Sequence, residues 1–158
     1  MKINGTFRVN RQLSELYRDH DVYISPLPEL KFNDFVRISF RTGKRKKRSI
    51  YVWLRIIDSY YKTFYNSITE DRFNDSELLI GEAHNSIVLC KHYRIKLGLP
   101  DNNLDSIDLE IKKSSNPLKK IRALYNSPDS MMRTTTIISI LSVLMGIIAL
   151  VLGVMSLR

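Results

Sequence analysis

At 158 residues and 18.4 kDa the chain holds one ordinary domain with room for a short appendage, which excludes a large multidomain machine. Lys and Arg outnumber Asp and Glu by 25 to 16, a formal charge of +9, and 44% of residues are hydrophobic. Tyr, Phe, Ile, Val and Leu run through the whole chain, so an intrinsically disordered protein is excluded as well.

The first residues, MKINGTFRVNRQL, lack the apolar core of a secretory signal. Further on, Val36, Ile38 and Phe40 alternate with Arg37 and Ser39, and Ile50, Val52, Leu54 and Ile56 alternate with Tyr51, Trp53 and Arg55. A period of two with β-branched and aromatic enrichment predicts two strands. The segment Arg41 to Ser49 between them contains Thr42-Gly43 and five consecutive cations, and reads as a long hairpin loop. After Asp58, the spacing of Tyr60, Tyr61, Phe64, Tyr65 and Ile68 predicts an amphipathic helix, its aromatic stripe suited to a core more than to base stacking. Glu77 to Ile80 and Ser86 to Cys90 read as short strands, Lys91 to Leu97 as a helical turn or two stopped by Gly98, and Ile107, Leu109 and Ile111 as a further strand. The expected fold class is α+β: a small β-rich domain over residues 1–113.

Residues 114–133 read as a linker holding a short basic amphipathic helix. Asn-Pro and Ser-Pro bracket LKKIRALY, in which Leu118, Ile121 and Leu124 or Tyr125 fall at helical spacing. Two readings stay open for its cations, a membrane-surface contact through Lys119, Lys120, Arg122 and Arg133 or a solvated connector.

Residues 134–158 form the tail. No charge occurs from Thr134 to Leu157, and sixteen of the twenty-one residues Ile137 to Leu157 are hydrophobic. As a helix this run spans about 32 Å, which matches a hydrocarbon core of about 30 Å. Globular helices rarely stay apolar on every face for so long, so the expectation is a C-terminal transmembrane anchor. Residues 112 to 133 carry six cations against Asp129 alone, which by the positive-inside rule places the N-terminal domain in the cytosol. A single cysteine, Cys90, agrees with a reducing compartment; as a residue it reads as a small buried hydrophobe. In the tail, Ser139, Ser142, Gly146, Ala149, Gly153 and Ser156 recur at spacings of three and four, a small-residue stripe that favours close helix association and hence a homo-oligomer.

Catalytic residues, metal ligands and cofactors are not expected. His20, His84 and His92 lack metal-site spacing, there is no paired Cys motif, Gly-rich phosphate loop or GxSxG elbow, and the adjacency of Glu82 and His84 defines no geometry. The basic run Lys44, Arg45, Lys46, Lys47 and Arg48 is the sharpest feature of the soluble part. Without it residues 1–111 would be net −2. Five adjacent cations repel one another and gain most beside a multivalent anion such as a nucleic acid, a cyclic nucleotide or other phosphate ligand, or lipid headgroups; the alternative is a solvated loop.

Two stretches, 21–40 and 85–111, share a layout of strand, short helix or turn, and a polar turn entering an alternating strand. That layout resembles the half-motifs of double-psi β-barrels, such as the N-terminal domains of one class of AAA ATPases. There a Leu-Gly ends a short helix, as Leu97-Gly98 would here, and a Gly-Asp turn follows, for which this chain has Asn33-Asp34 and Leu104-Asp105. In architecture the chain also resembles single-pass membrane effectors of prokaryotic antiviral signalling. That resemblance implies an oligomer at the inner membrane whose cytosolic domain senses a nucleotide messenger and whose clustered helices perturb the bilayer. A membrane-tethered adaptor for a protein partner or nucleic acid is the alternative.

Overall fold

The computed structural model describes residues 2–11, 22–41, 47–73, 79–81, 85–99 and 104–156. They form two compact units, Met1–Asn116 and Pro117–Arg158.

Among the described residues the first unit is a closed six-stranded β-barrel with two helices. Its elements in chain order are β1 (Lys2–Arg11), β2 (Val22–Ile24), β3 (Phe35–Arg41), β4 (Lys47–Ile56), α1 (Ser59–Phe73), β5 (Ser86–Leu89), α2 (Lys91–Leu97) and β6 (Leu104–Lys113). Around the barrel the strands run β1-β5-β2-β4-β3-β6, and β6 pairs antiparallel with β1 to close it. Two neighbours, β1 with β5 and β2 with β4, are parallel; every other pair is antiparallel. Exchanging β1 with β4, β2 with β5 and β3 with β6 reproduces the same circular order and the same pair directions. The likeness between 21–40 and 85–111 is therefore built into the topology, since these stretches contain the exchanged pairs β2 with β5 and β3 with β6.

Alternation places one face of each strand inside. Phe7, Val9, Ile24, Ile38, Leu54, Ile87, Leu109 and Ile111 are almost completely shielded from solvent and fill the barrel with Leu97 at the end of α2 and Leu99 just after it. The inward position Gly5 has no side chain, and the Phe7 ring lies so close that a Cβ there would sit 3.1 Å from it.

Helix α1 covers the outside of the barrel over β2 and β5. Tyr61, Tyr65 and Ile80 pack on Val88 and Tyr23, with the Tyr23 and Tyr61 rings stacked at 4.0 Å. Asp58 starts the helix by accepting the Tyr61 N–H at 2.7 Å. Helix α2 stops at Gly98, whose φ of 76° is the left-handed conformation glycine adopts without steric cost. In the turn before β3 the left-handed residue is Asn33, φ 67°, and the next residue, Asp34, accepts the Lys31 N–H at 2.7 Å.

Two sequence expectations give way. Leu79 and Ile80 are not in a strand, because the Asn66 side chain takes the Ile80 N–H at 2.9 Å and donates to its carbonyl at 3.3 Å, the groups a ladder would use. Glu77 and Leu78, the rest of that predicted strand, lie outside the described residues. The expected loop from Arg41 to Ser49 is also shorter than predicted, because the β3–β4 ladder continues through Ser39 with Ser49, Phe40 with Arg48 and Arg41 with Lys47.

The second unit comprises α3 (Pro117–Tyr125) and α4 (Ser130–Ser156). Helix α4, with 27 residues, is long and apolar enough to cross a membrane, and none of its central span is buried within the protein.

Candidate anion-binding groove

On the outer faces of β1, β6, β3 and β4 a groove of about 510 Å³ is lined by Lys2, Asn4, Thr6, Ser39, Lys47, Asp108 and Glu110. Register creates it. Ser39 on β3 pairs with Glu110 on β6 on one side and Ser49 on β4 on the other, and Asn4 on β1 faces Glu110.

Glu110 is the centre of its electrostatics. Lys47 donates to Oε1 at 2.6 Å, Arg37 to the same oxygen at 3.2 Å, and Lys2 to Oε2 at 2.8 Å. The bonds from Lys2 and Lys47 hold the Glu110 carboxyl down at about 2, far below the ordinary carboxylate range. Three cations around one carboxylate leave an excess of two positive charges, and a single bond to Glu110 uses one of an ammonium's three donors. Next to them the Ser39 hydroxyl is buried, the residue 2% exposed, with no hydrogen-bond partner among the described residues. A buried hydroxyl in that state is ready to donate to a ligand oxygen. At the rim the Asp108 carboxylate accepts the Thr6 hydroxyl at 2.9 Å. A second pair, Lys113 with Asp34 at 2.7 Å, lies outside the groove lining and keeps the Asp34 carboxyl below its usual value.

Of the predicted basic run, Lys44, Arg45 and Lys46 lie outside the described residues. Strand pleating sends Lys47 and Arg48 to opposite faces. Lys47 enters the groove, whereas Arg48 shares the inward parity of Ile50 and reaches Gly98, where a Cβ would lie 2.5 Å from its Nη1. Lys2, Arg37 and Glu110 were not singled out by sequence; each is an ordinary polar position of an alternating strand until cross-strand register brings it to the others. The Cys90 thiol is buried and burial pushes its pKa up, so it is an unreactive core residue. His92 stacks edge-on against Tyr93, while His20, Glu82 and His84 lie outside the described residues. Among the described residues no group of His, Cys, Asp and Glu is arranged to hold a metal.

In the second unit Lys120, Arg122 and Arg133 are exposed and Lys119 half-buried. The stripe Ser139, Ser142, Gly146, Ala149, Gly153 and Ser156 is exposed along α4. Its hydroxyls bond back to the helix, Ser139 to the Thr135 carbonyl, Ser142 to that of Ile138 and Ser156 to that of Gly153, each at 2.9 Å. Nothing stands within 4 Å of the Cβ position at Gly146 or Gly153. Comparison with known protein families, with characterised proteins and with solved structures finds no significant match.

Proposed function

We propose that this chain is a non-enzymatic membrane-anchored sensor, whose barrel binds an anionic, phosphate-bearing ligand in the outer groove and whose α4 helices cluster through their small-residue stripe. The convergence of Lys2, Arg37 and Lys47 beside the buried Ser39 hydroxyl carries the reading. Three cations from three strands form a charged surface that a phosphate can bridge, and Lys47 links it to the basic run. The strand exchange symmetry supports kinship with double-psi barrels, a fold that hosts many functions and selects none. The net charge of residues 112 to 133 supports a cytosolic barrel, and the architecture supports an inner-membrane effector of the kind used in prokaryotic antiviral signalling. In the tail, hydroxyls already satisfied within the helix and open glycine positions leave a smooth surface for backbone-to-backbone packing.

The test is thermal unfolding of the detergent-solubilised full chain with cyclic nucleotides, single-stranded nucleic acid and soluble inositol phosphates. A ligand at a hundredfold excess over its Kd adds about 2.7 kcal/mol of stability. A shift with one cyclic nucleotide that is lost in Lys47→Glu supports the reading. A shift that persists in Lys47→Glu removes the groove as the site, and no shift with any of them overturns anion sensing.

One observation favours the adaptor alternative. On α1, Tyr60 is 77% and Phe64 41% exposed, with their rings stacked at 6.3 Å. Paired exposed aromatics form an anchor for a protein partner. Loss of a stoichiometric pull-down partner in Tyr60→Ser/Phe64→Ser, with harmless expression of the wild-type chain, would establish that role.

A further inference from the structure

Helix α3 begins with Pro117 at its first position, where the missing N–H costs nothing, and runs PLKKIRALY to Tyr125. Leu118, Ile121 and Tyr125 recur at i, i+3 and i+7, so they form one face. That face is open to solvent, with Leu118 73%, Ile121 44% and Tyr125 50% exposed. No residue of α3 is buried, although the helix packs with α4 in one unit.

The turn between the helices is fixed by local bonds. Asn126 Nδ2 donates to the Arg122 carbonyl at 2.8 Å, and the Ser127 N–H donates to that of Leu124 at 3.1 Å. Ser127 Oγ accepts the Asp129 N–H at 3.2 Å, and Asp129 caps α4 by accepting the Met131 N–H at 2.8 Å. Seven residues, 130–136, then separate the turn from the apolar run that starts at Ile137. They span about 10 Å as helix, enough to cross the roughly 5–8 Å headgroup layer on one side of a bilayer. A spanning α4 therefore brings the end of α3 to the outer edge of the headgroup layer, within reach of the lipid surface, with Lys119, Lys120 and Arg122 beside its apolar face.

We infer that α3 is an interfacial helix whose Leu118–Ile121–Tyr125 face inserts into an anionic lipid leaflet. The proposal rests on reading α4 as membrane-spanning and is independent of what the barrel groove binds. An apolar stripe lying against acyl-chain ends with cations among the headgroups is the arrangement of surface-bound amphipathic helices. Tyr125 adds an aromatic ring with a polar tip, suited to that boundary.

The test is spin-label accessibility on the full chain in vesicles of equal parts phosphatidylcholine and phosphatidylglycerol. Leu118→Cys, Ile121→Cys, Tyr125→Cys and Lys120→Cys are labelled singly, with Leu144→Cys in mid-α4 as reference; native Cys90 is buried and escapes the label. The expected result is high oxygen and low nickel-chelate accessibility at 118, 121, 125 and 144, with the reverse at 120. Nickel access at 118, 121 and 125 with 144 protected overturns the proposal and leaves the anchor standing. Low access to both reagents at those three positions overturns it in favour of a protein surface covering the helix. Nickel access at 144 overturns the spanning reading itself and this proposal with it. A second readout is quenching of Tyr125→Trp by lipids brominated near the headgroup: strong quenching above that of the native Trp53 supports insertion, and none refutes it.

Discussion

Replacing Glu110 by Gln tests the electrostatics of the groove directly. In the folded protein its carboxyl titrates at about 2 against an ordinary 4.5, because Lys2 and Lys47 bond to the charged form. Taken at face value that difference corresponds to roughly 3 kcal/mol. Lys2 and Lys47 are 52% and 37% exposed, so solvent screening and side-chain entropy reduce the expected contribution to about 1 kcal/mol. A folded pKa below the unfolded one gives stability that is present above about 4.5 and lost as pH falls from there toward 2. In Glu110→Gln that contribution is absent at every pH. At pH 7 the variant should melt about 4 °C lower, and the gap should close between about pH 4.5 and about pH 2.5. Thermal unfolding followed by circular dichroism across this range reads it. A gap that stays constant, or that opens only on acidification, would refute the ion-pair argument. The same substitution removes the internal counter-charge of the groove, so affinity for a phosphate-bearing ligand should rise.

Three further outcomes are expected. Gly98→Ala forces a side chain into a left-handed position and against Arg48, and should cost about 2 kcal/mol in denaturant unfolding; Arg48→Ala in that background should restore only part of it. Asn66→Leu leaves the Ile80 N–H and carbonyl without their side-chain partner and should cost about 2 kcal/mol, with faster amide exchange at Ile80 than in wild type. Leu at both Gly146 and Gly153 should block close helix approach and convert oligomers to monomers in detergent, read by light scattering, whereas an unchanged oligomer size would discard the stripe as an interface.

Much of the barrel is legible because β3, β4 and β6 carry clean alternation through Val36, Ile38, Ile50, Val52, Leu109 and Ile111. β1 is harder to read, since the small Gly5 stands where the pattern calls for an apolar side chain and the Phe7 ring takes up its space. Helices α2 and α3 are announced by local chemistry, a Gly98 stop and a Pro117 start. The groove is not legible in the same way: Lys2, Arg37, Lys47 and Glu110 are scattered over more than a hundred positions of sequence, and only the pairing of β1 and β3 with β6, and of β4 with β3, gathers them. A run of five cations is conspicuous as a string, yet a strand splits neighbours to opposite faces, so the conspicuous string and the assembled site share Lys47 and not Arg48.

The closure of the barrel has a bearing on how the chain is made. Because Lys2 pairs with Lys112 and Ile3 with Ile111, the barrel is complete only when nearly all of its own residues are available, and such distant pairing makes folding comparatively slow. Every one of its strands nevertheless precedes α4, so translation delivers the entire barrel before the greasy helix leaves the ribosome. On the proposed membrane-anchored reading, sheet closure and insertion of α4 are thereby separated in time, and any variant that delays β1 from finding β6 will present open strand edges just as the helix meets the bilayer, which is when aggregation competes best.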